Sequence, residues 1–363
     1  MTTTPTRWTL ADGRQLLFFD LPGHHCAPVA DRRQLPARRN ARSELRYDRI
    51  SGEWVMVAAL RQDRTYKPPA DQCPLCPGPN GLTSEIPAPD YDVVVFENRF
   101  ASLSGADGHP FRLPTEPGPG FVCQPSHGRC EVVCFSADHT GSFADLDGRH
   151  ARLVVEVWRH RTRDLLGCNG IEQVFCFENR GEEIGVTLTH PHGQIYGYPY
   201  VTPHTEATLR RAHAHRASHG TNLFTDLLEH EISSGARILA RTDSFTAFVP
   251  FAARWPVEVH IFSHRSAHNL LDFDDAELDD FTELYRMVLQ RLDRLYDQPL
   301  PYMAALHQYS DTESQREGRF HAQVISTRRS ATRLKFLASS ESIMGAFIND
   351  VTPESLAQAL REL

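Results

Sequence analysis

Short runs of apolar residues, bounded by residues typical of turns, recur along this chain. Such runs predict buried strands, and they occupy residues 54–60, 93–96, 130–135, 174–177, 237–240, 245–251 and 257–263. Apolar residues at helical spacing predict helices over 148–166 and 274–297, and residues 206–231 are expected to be mostly helical. Short strands interrupted by single helices predict an α+β fold with a largely antiparallel sheet flanked by helices.

The order of these elements divides the chain into four segments. Residues 1–43 are rich in Arg, Pro and His and predict an extended or loosely packed N-terminal arm. Residues 44–204 contain the first set of strands and a long helix, and residues 205–345 repeat that plan. Residues 346–363 remain as a C-terminal segment.

Composition and charge narrow the class of protein. The 363 residues are 40% hydrophobic, and no apolar run approaches the ~20 residues that a membrane helix needs. A net charge of −8 argues against a nucleic-acid partner. The polar N-terminus lacks the apolar core of a signal peptide, and the eight cysteines show no disulfide-like spacing. We therefore expect a cytoplasmic protein that binds neither nucleic acid nor membrane.

The strongest candidates for catalytic residues lie in residues 189–194, Thr-His-Pro-His-Gly-Gln. Proline favours an extended backbone before it, so His190 and His192 are expected to project side by side. A neutral imidazole is nucleophilic near neutral pH. The glycine permits close approach of an anion, and Gln194 offers an amide. A surface loop that happens to contain two histidines is the alternative interpretation of this motif.

Residues upstream of this motif favour a phosphate site. The apolar run 174–177 ends at Asn179-Arg180-Gly181, which predicts a turn. Gly185 and the hydroxyl of Thr187 follow before the histidine pair. Together with Gln194 these residues predict a small neutral cradle for a phosphate, with a nucleophile at its centre.

A second motif, Cys73-Pro-Leu-Cys76, has the spacing of a zinc knuckle. A redox pair or a chance match would give the same spacing. The prolines and glycine that follow forbid the helix that a thioredoxin-like site requires. Tetrahedral zinc needs two further ligands.

These motifs resemble those of the galactose-1-phosphate uridylyltransferase family, the transferase branch of the histidine triad superfamily. The resemblance rests on Phe-Glu-Asn-Arg-Gly at 177–181, on Gly185 and on His-Pro-His-Gly-Gln at 190–194. Histidine triad hydrolases have a third histidine where this chain has Gln194. The resemblance implies a fold of two histidine-triad-like halves. A short echo, Phe96–Phe100 against Phe177–Gly181, is interpreted as a trace of those halves.

The same resemblance assigns roles to single residues. It implies that His192 is the nucleophile and that His139 and His190 complete one structural zinc site with Cys73 and Cys76. Residues implied to bind substrate are Arg61, Arg64, Asn98, Asn179, Gly185, Thr187, Gln194, Lys335 and Glu341. The family often has Gly-Tyr-Glu where this chain has Ser-Ser-Glu at 339–341, and a later glutamine is missing.

A second, iron-type metal site of some members is expected to be absent or degraded. His307 and His321 match two of its ligands, but Gln323 replaces a third. No convincing glutamate for the fourth ligand follows Pro203, and the nearest one in sequence is Glu206.

The implied activity is uridylyl transfer from UDP-glucose to galactose 1-phosphate, in two steps through a uridylyl-histidine, in a homodimer of galactose metabolism. The main alternative is a related nucleotidyltransferase, such as an ADP-sugar or dinucleotide phosphorylase. A histidine triad hydrolase and a non-catalytic zinc-stabilised binding protein are the other classes considered.

Overall fold

The computed structural model describes residues 4–35, 43–63, 66–105 and 117–363. They form two compact units that interleave along the chain. Unit 1 contains residues 1–141, 156–176 and 190–206, and unit 2 contains residues 142–155, 177–189 and 207–363. This division differs from the contiguous halves expected from the sequence, whose boundaries stay a prediction.

Unit 1 is built on an antiparallel sheet. Its strands are β1 (Thr6–Thr9), β2 (Gln15–Phe19), β5 (Val93–Glu97), β8 (His127–Cys134) and β10 (His192–Tyr198), paired in that order. The short β6 (Ser104–Gly105) runs parallel to β8. A separate sheet contains β3 (Glu44–Asp48), β4 (Glu53–Val57) and β7 (Cys123–Pro125).

The N-terminal residues are part of this sheet: residues 6–9 and 15–19 are extended, as one of the two expectations had it, but they are not loosely packed. β1 pairs with β2, and β2 pairs with β5 from Leu16 opposite Phe96 to Phe19 opposite Val93. All four residues from Leu16 to Phe19 are buried. Burial of such side chains stabilises the fold by roughly 1.5–3 kcal/mol each. The polar composition of residues 1–43 as a whole hides this short apolar run.

Unit 2 has its own antiparallel strands. They are β14 (Tyr302–His307), β15 (His321–Ser326), β13 (Val257–Ser263), β12 (Phe245–Phe248) and β11 (Ile238–Arg241), again in order of pairing. A two-stranded sheet joins β16 (Arg328–Ser330) to β17 (Arg333–Leu334). β9 (Gln173–Arg180) has residues in both units.

Six α-helices accompany these strands in the described chain. They are α1 (Gly148–Leu166), α2 (Pro203–His219), α3 (Leu223–Ser234), α4 (Asp275–Arg294), α5 (Ser339–Ser342) and α6 (Pro353–Arg361). α4 begins at a capping box, in which the side chains of Asp274 and Glu277 each accept a backbone N–H of the other. Its apolar face is buried, with Phe281 against Phe245 and Phe320 in the core of unit 2.

The predicted α+β class with a largely antiparallel sheet and flanking helices is confirmed. The helix predicted over 148–166 has those bounds. No helix among the described residues is both long enough and apolar enough to span a bilayer. The interpretation of the echo stays a prediction; Phe96–Phe100 lies in unit 1 and Phe177–Gly181 in unit 2.

Candidate functional site

His192 begins β10 and its imidazole is held in one orientation. β10 pairs with β8 so that His192 lies opposite Cys134. The Nδ1 atom of His192 lies 2.7 Å from the carbonyl oxygen of His190, and a carbonyl can only accept, so Nδ1 carries the proton. The lone pair of the neutral ring is therefore on Nε2. Burial lowers the pKa of His192, which keeps this lone pair available.

His190 lies in the bend before β10 and points into a cluster of metal-binding donors. The ligand atoms of Cys73, Cys76, His139 and His190 all lie within 4.8 Å of one another. The Cys76 sulfur is 3.3 Å from Nδ1 of His139 and 3.5 Å from Nδ1 of His190. The structure thus brings together the four residues that the sequence assigned to one metal site.

Hydrogen bonds around His190 fix which nitrogen can bind a metal. Its Nε2 lies 2.8 Å from the carbonyl oxygen of Ser136 and 2.8 Å from the hydroxyl of Tyr91, which itself donates to the carbonyl of Leu75. Nε2 therefore carries the proton, and Nδ1 offers its lone pair toward Cys76. Burial also lowers the pKa of His190 to about 4, so the ring stays neutral as a metal ligand must.

The cysteine knuckle is shaped by backbone contacts. The N–H of Leu75 lies 3.4 Å from the Cys73 sulfur. Gly78 has no room for a side chain, since a Cβ there would lie 2.7 Å from that of Ser84. Burial and the neighbouring Cys73 raise the pKa of Cys76 to about 12, a shift that a bound cation would reverse.

Three residues expected to bind substrate meet in unit 1. The Asn98 amide nitrogen lies 3.5 Å from the side-chain oxygen of Gln194, and the Tyr196 hydroxyl donates to that oxygen at 3.3 Å. Arg61 donates to the carbonyl of Phe100, and the N–H of Phe100 bonds to the Asn98 side chain at 2.9 Å. Arg64 lies outside the described residues.

Other expected substrate residues lie in unit 2. Asn179 is exposed at the end of β9, and Thr187 is half-buried. Gly185 has a φ of 84°, which favours glycine, and ends a single helical turn at Glu182–Ile184. The arrangement of this segment around His192, expected from the sequence, stays a prediction.

Lys335 and Glu341 are both buried and form an ion pair at 2.7 Å. The Glu341 carboxylate also accepts the backbone N–H of Ala338 and so caps α5. The pair therefore holds the ends of one loop together, whichever ligand that loop binds.

Sequence reasoning did not identify Tyr91 or the carbonyl of Ser136, which orient His190. Tyr91 belongs to no motif, and Ser136 lies three residues before His139 but was given no role of its own. The two residues are 99 and 54 positions from His190. The run 130–135 did predict β8, whose end presents Ser136.

His307 and His321, which the sequence analysis matched to two ligands of a second metal site, stack at 4.3 Å between ring centroids. The Nε2 of His307 lies 3.0 Å from the Gln323 side-chain oxygen, and the Gln323 amide donates to Glu258 at 2.9 Å. Loss or degradation of that metal site stays a prediction.

Comparisons with known proteins cover the whole molecule. The N-terminal and C-terminal domain models of galactose-1-phosphate uridyl transferase match residues 33–202 and 208–363. A galactose-1-phosphate uridylyltransferase of Streptomyces lividans is 42% identical over 100% of this chain and 98% of its own length. One from Thermotoga maritima is 37% identical over 88% of this chain and 98% of its own.

Solved structures show the same fold. A uridylyltransferase structure, 28% identical, superposes with a TM-score of 0.77 and covers 88% of this chain and 97% of its own. An ADP-glucose phosphorylase from Arabidopsis thaliana, with bound ADP-glucose, has a TM-score of 0.66 at 21% identity. It covers 88% of this chain and 98% of its own, and at that identity the likeness concerns the fold alone.

Proposed function

This chain belongs to the galactose-1-phosphate uridylyltransferase family and is a transferase of that class, and from this premise we propose that His192 carries the uridylyl group between two sugar phosphates. The observation that supports this role is the hydrogen bond from Nδ1 to the His190 carbonyl, 2.7 Å long. It leaves Nε2 as the attacking atom. A neutral imidazole held in one orientation can donate the Nε2 lone pair to phosphorus, as nucleophilic attack requires.

The proposed reaction has two displacements. Nε2 of His192 attacks the α-phosphorus of UDP-glucose, the bond from phosphorus to the bridging oxygen breaks, and glucose 1-phosphate leaves. A phosphate oxygen of galactose 1-phosphate then attacks the same phosphorus, the N–P bond breaks, and UDP-galactose leaves. Two steps through one covalent intermediate give ping-pong kinetics.

Polar side chains and backbone groups are proposed to stabilise the charge on phosphorus. The proposed phosphate ligands are Arg61, Arg64, Asn179, Gly185, Thr187 and Gln194. Asn98 is proposed to contact the uridine, and Lys335 and Glu341 are proposed to bind the hexose phosphate. Donors placed before the reaction stabilise developing charge without reorganisation.

An exchange experiment tests the covalent step. With UDP-glucose and labelled glucose 1-phosphate, and no galactose 1-phosphate, label should enter UDP-glucose. Mass spectrometry of the quenched enzyme should place a uridylyl adduct on the peptide that contains His192. Exchange without any adduct on that peptide would remove His192 as the nucleophile.

Substrate preference separates this function from that of a phosphorylase. UDP-glucose and ADP-glucose are compared as donors, and galactose 1-phosphate and inorganic phosphate as acceptors. The proposal requires a higher kcat/KM for the UDP-sugar with galactose 1-phosphate. Faster reaction of ADP-glucose with phosphate would instead assign the chain to the ADP-sugar phosphorylases, whose fold it shares.

The metal of the four-donor cluster is proposed to be one structural zinc. Two thiolates and two imidazoles prefer zinc to harder cations. Zinc would join Cys73 and Cys76 to His139 and His190, and so fix the bend from which β10 and His192 begin. Elemental analysis of protein purified without chelator should find about one zinc per chain. Folded protein without zinc, and with full activity, would contradict a structural role.

A second copy of the chain is the proposed protein partner. The segment from Phe336 to Ile348 exposes large apolar side chains, including Ile343 at 76% and Met344 at 78%, and such surfaces commonly form interfaces. Sedimentation equilibrium should give twice the chain mass. A cytoplasmic location is proposed because the eight cysteines form no disulfide in the described structure, as expected in a reducing compartment.

A further inference from the structure

A second group of possible metal ligands lies in unit 1, apart from the cysteine knuckle. Asp20 directly follows β2 and Asp92 directly precedes β5. Phe19 pairs with Val93, so the antiparallel register places the two aspartates opposite each other. Like charges directly opposite each other on paired strands destabilise a sheet. An aspartate pair at this position therefore calls for a compensating positive charge.

His24 enters between the two carboxylates. The chain turns after β2, with Gly23 at a φ of 90° and the N–H of His24 bonded to the Leu21 carbonyl. This turn brings Nδ1 of His24 to 2.7 Å from Oδ2 of Asp92. One ligand atom from each of Asp20, His24 and Asp92 lies within 4.8 Å of the others.

One carboxylate oxygen in this group has no protein partner. Oδ1 of Asp20 is buried and accepts no hydrogen bond from the described residues. A buried acceptor without a partner carries a desolvation cost of about 1–3 kcal/mol unless a water or an ion satisfies it. The Oδ2 atom of the same side chain accepts the N–H of Cys26 at 3.2 Å and lies 3.6 Å from Nδ1 of His25, whereas Oδ1 has no hydrogen-bond partner among the described residues.

The surrounding charge is negative. Asp20, Asp90 and Asp92 all act on His24 and raise its pKa, chiefly through the hydrogen bond to Asp92. Burial, together with the same three carboxylates, raises the pKa of Cys26 to about 12. A single imidazole, even protonated, does not balance three carboxylates, whereas a divalent cation with His24 neutral does so more fully.

We propose that Asp20, His24 and Asp92 bind a divalent transition-metal cation of the Mn²⁺ or Zn²⁺ class, which joins the end of β2 to the start of β5. Two carboxylates and one imidazole form a mixed oxygen and nitrogen set that both cations accept. Waters complete the coordination. The site is separate from the thiolate site and stabilises the attachment of the N-terminal strands to the sheet.

The test uses Mn²⁺ as the probe, because a site with two thiolates selects zinc rather than manganese. Full-length protein that retains its zinc is titrated with Mn²⁺, and free Mn²⁺ is followed by electron paramagnetic resonance. About one Mn²⁺ should bind per chain. Asp20→Asn and His24→Ala should each weaken that binding at least 10-fold. His25→Ala is the matched control, since His25 is in the same turn and its side chain is 82% exposed, and it contacts the group only through its Nδ1 atom, 3.6 Å from Oδ2 of Asp20.

Thermal unfolding shows whether a variant has lost binding or folding. Without Mn²⁺, Asp20→Asn should unfold at the wild-type temperature or higher, because it removes the repulsion between Asp20 and Asp92. The rise in Tm that Mn²⁺ causes in the wild type and in His25→Ala should disappear in Asp20→Asn.

Three results would overturn the proposal. The first is the absence of stoichiometric Mn²⁺ and Zn²⁺ binding outside the thiolate site. The second is that His25→Ala weakens Mn²⁺ binding as much as the ligand variants do. The third is a Mn²⁺-induced rise in Tm that persists in both Asp20→Asn and His24→Ala.

Discussion

Strands β10 and β15, one in each unit, begin with similar tripeptides, but the histidines of these tripeptides have different surroundings. β10 starts His192-Gly193-Gln194 and β15 starts His321-Ala322-Gln323. In both, Nδ1 of the histidine lies close to the carbonyl two residues earlier, at 2.7 Å for His192 and at 2.8 Å for His321. The local sequence thus fixes the same orientation of the imidazole twice.

The surroundings of the two rings differ. His321 is 7% exposed and is packed against His307, at 4.3 Å, and Phe262, at 4.9 Å. His192 is less buried and is not stacked on an aromatic ring in the described structure. The glutamines differ in the same way. The side-chain oxygen and nitrogen of Gln323 have contacts of 3.0 and 2.9 Å, whereas the side-chain oxygen of Gln194 has longer contacts of 3.3 and 3.5 Å. The shared orientation therefore does not distinguish the two histidines, whereas their exposure and the contacts of the neighbouring glutamines do.

The largest effect should come from removing each histidine in turn. His192→Ala should lower the rate of uridylyl exchange by on the order of 10⁴-fold or more, because the covalent step is lost. His321→Ala should leave kcat within a few-fold and cost roughly 1–3 kcal/mol of unfolding free energy, because it removes a buried, hydrogen-bonded ring. Exchange kinetics and urea unfolding measure both. Comparable loss of exchange in His321→Ala would break the distinction between the two strands.

Loss of the proposed zinc should affect unit 1 alone. Cys76→Ser should release the metal and destabilise unit 1 by on the order of 4 kcal/mol, the stabilisation given by a ligand at about 1,000 times its Kd. Hydrogen exchange should accelerate in residues 73–91 and 136–139 and stay unchanged around β15. Cys123→Ser, at a thiol outside the cluster, is the control. Equal acceleration in both units would show that the metal stabilises the whole chain.

The glutamines should separate catalysis from stability. Gln194→Ala should reduce kcat by on the order of 10²-fold, the effect of removing one donor to a charged transition state, with little change in unfolding. Gln323→Ala should leave kcat unchanged and cost about 1–3 kcal/mol of stability, because Glu258 and His307 each lose a partner. A stability loss without a change in kcat for Gln194→Ala would assign both glutamines to packing.

The smallest effect concerns pH. Burial opposes ionisation of Glu258, but hydrogen bonds from His260 and from the Arg254 N–H hold its pKa below the ordinary 4.5. A lowered folded pKa contributes stability above the unfolded pKa, and that stability is lost as the pH falls through the folded value. Glu258→Gln should therefore flatten the decline of stability as the pH falls below about 4.5. Identical acid unfolding curves for the two proteins would contradict this.

Much of the fold was predictable because the signals are local. Apolar spacing predicted α1 with its observed bounds, and apolar runs predicted β5, β8 and β9. The Cys73–Cys76 spacing is likewise a local signal, and the family resemblance supplied His139 and His190 for the metal cluster.

What the sequence could not show depends on contacts between distant residues. Tyr91 and Ser136 orient His190 through side-chain and backbone contacts that no spacing encodes. The strand Gln15–Phe19 was missed because its apolar run is short and lies in a polar segment. The pairing of Asp20 with Asp92 follows from the register of β2 on β5, which composition does not set.

The position of β1 and β2 has a consequence for solubility. Without them β5 would be the edge of the sheet, and its residues Val93 to Phe96 form an uncharged, β-branched and aromatic run. An unpaired edge of this kind recruits strands from other molecules and promotes aggregation. The strand β1, whose exposed side chains are Arg7 and Thr9, forms the edge instead. Truncation of the first 20 residues should therefore yield insoluble protein, because the chain would lose its barrier to intermolecular strand pairing.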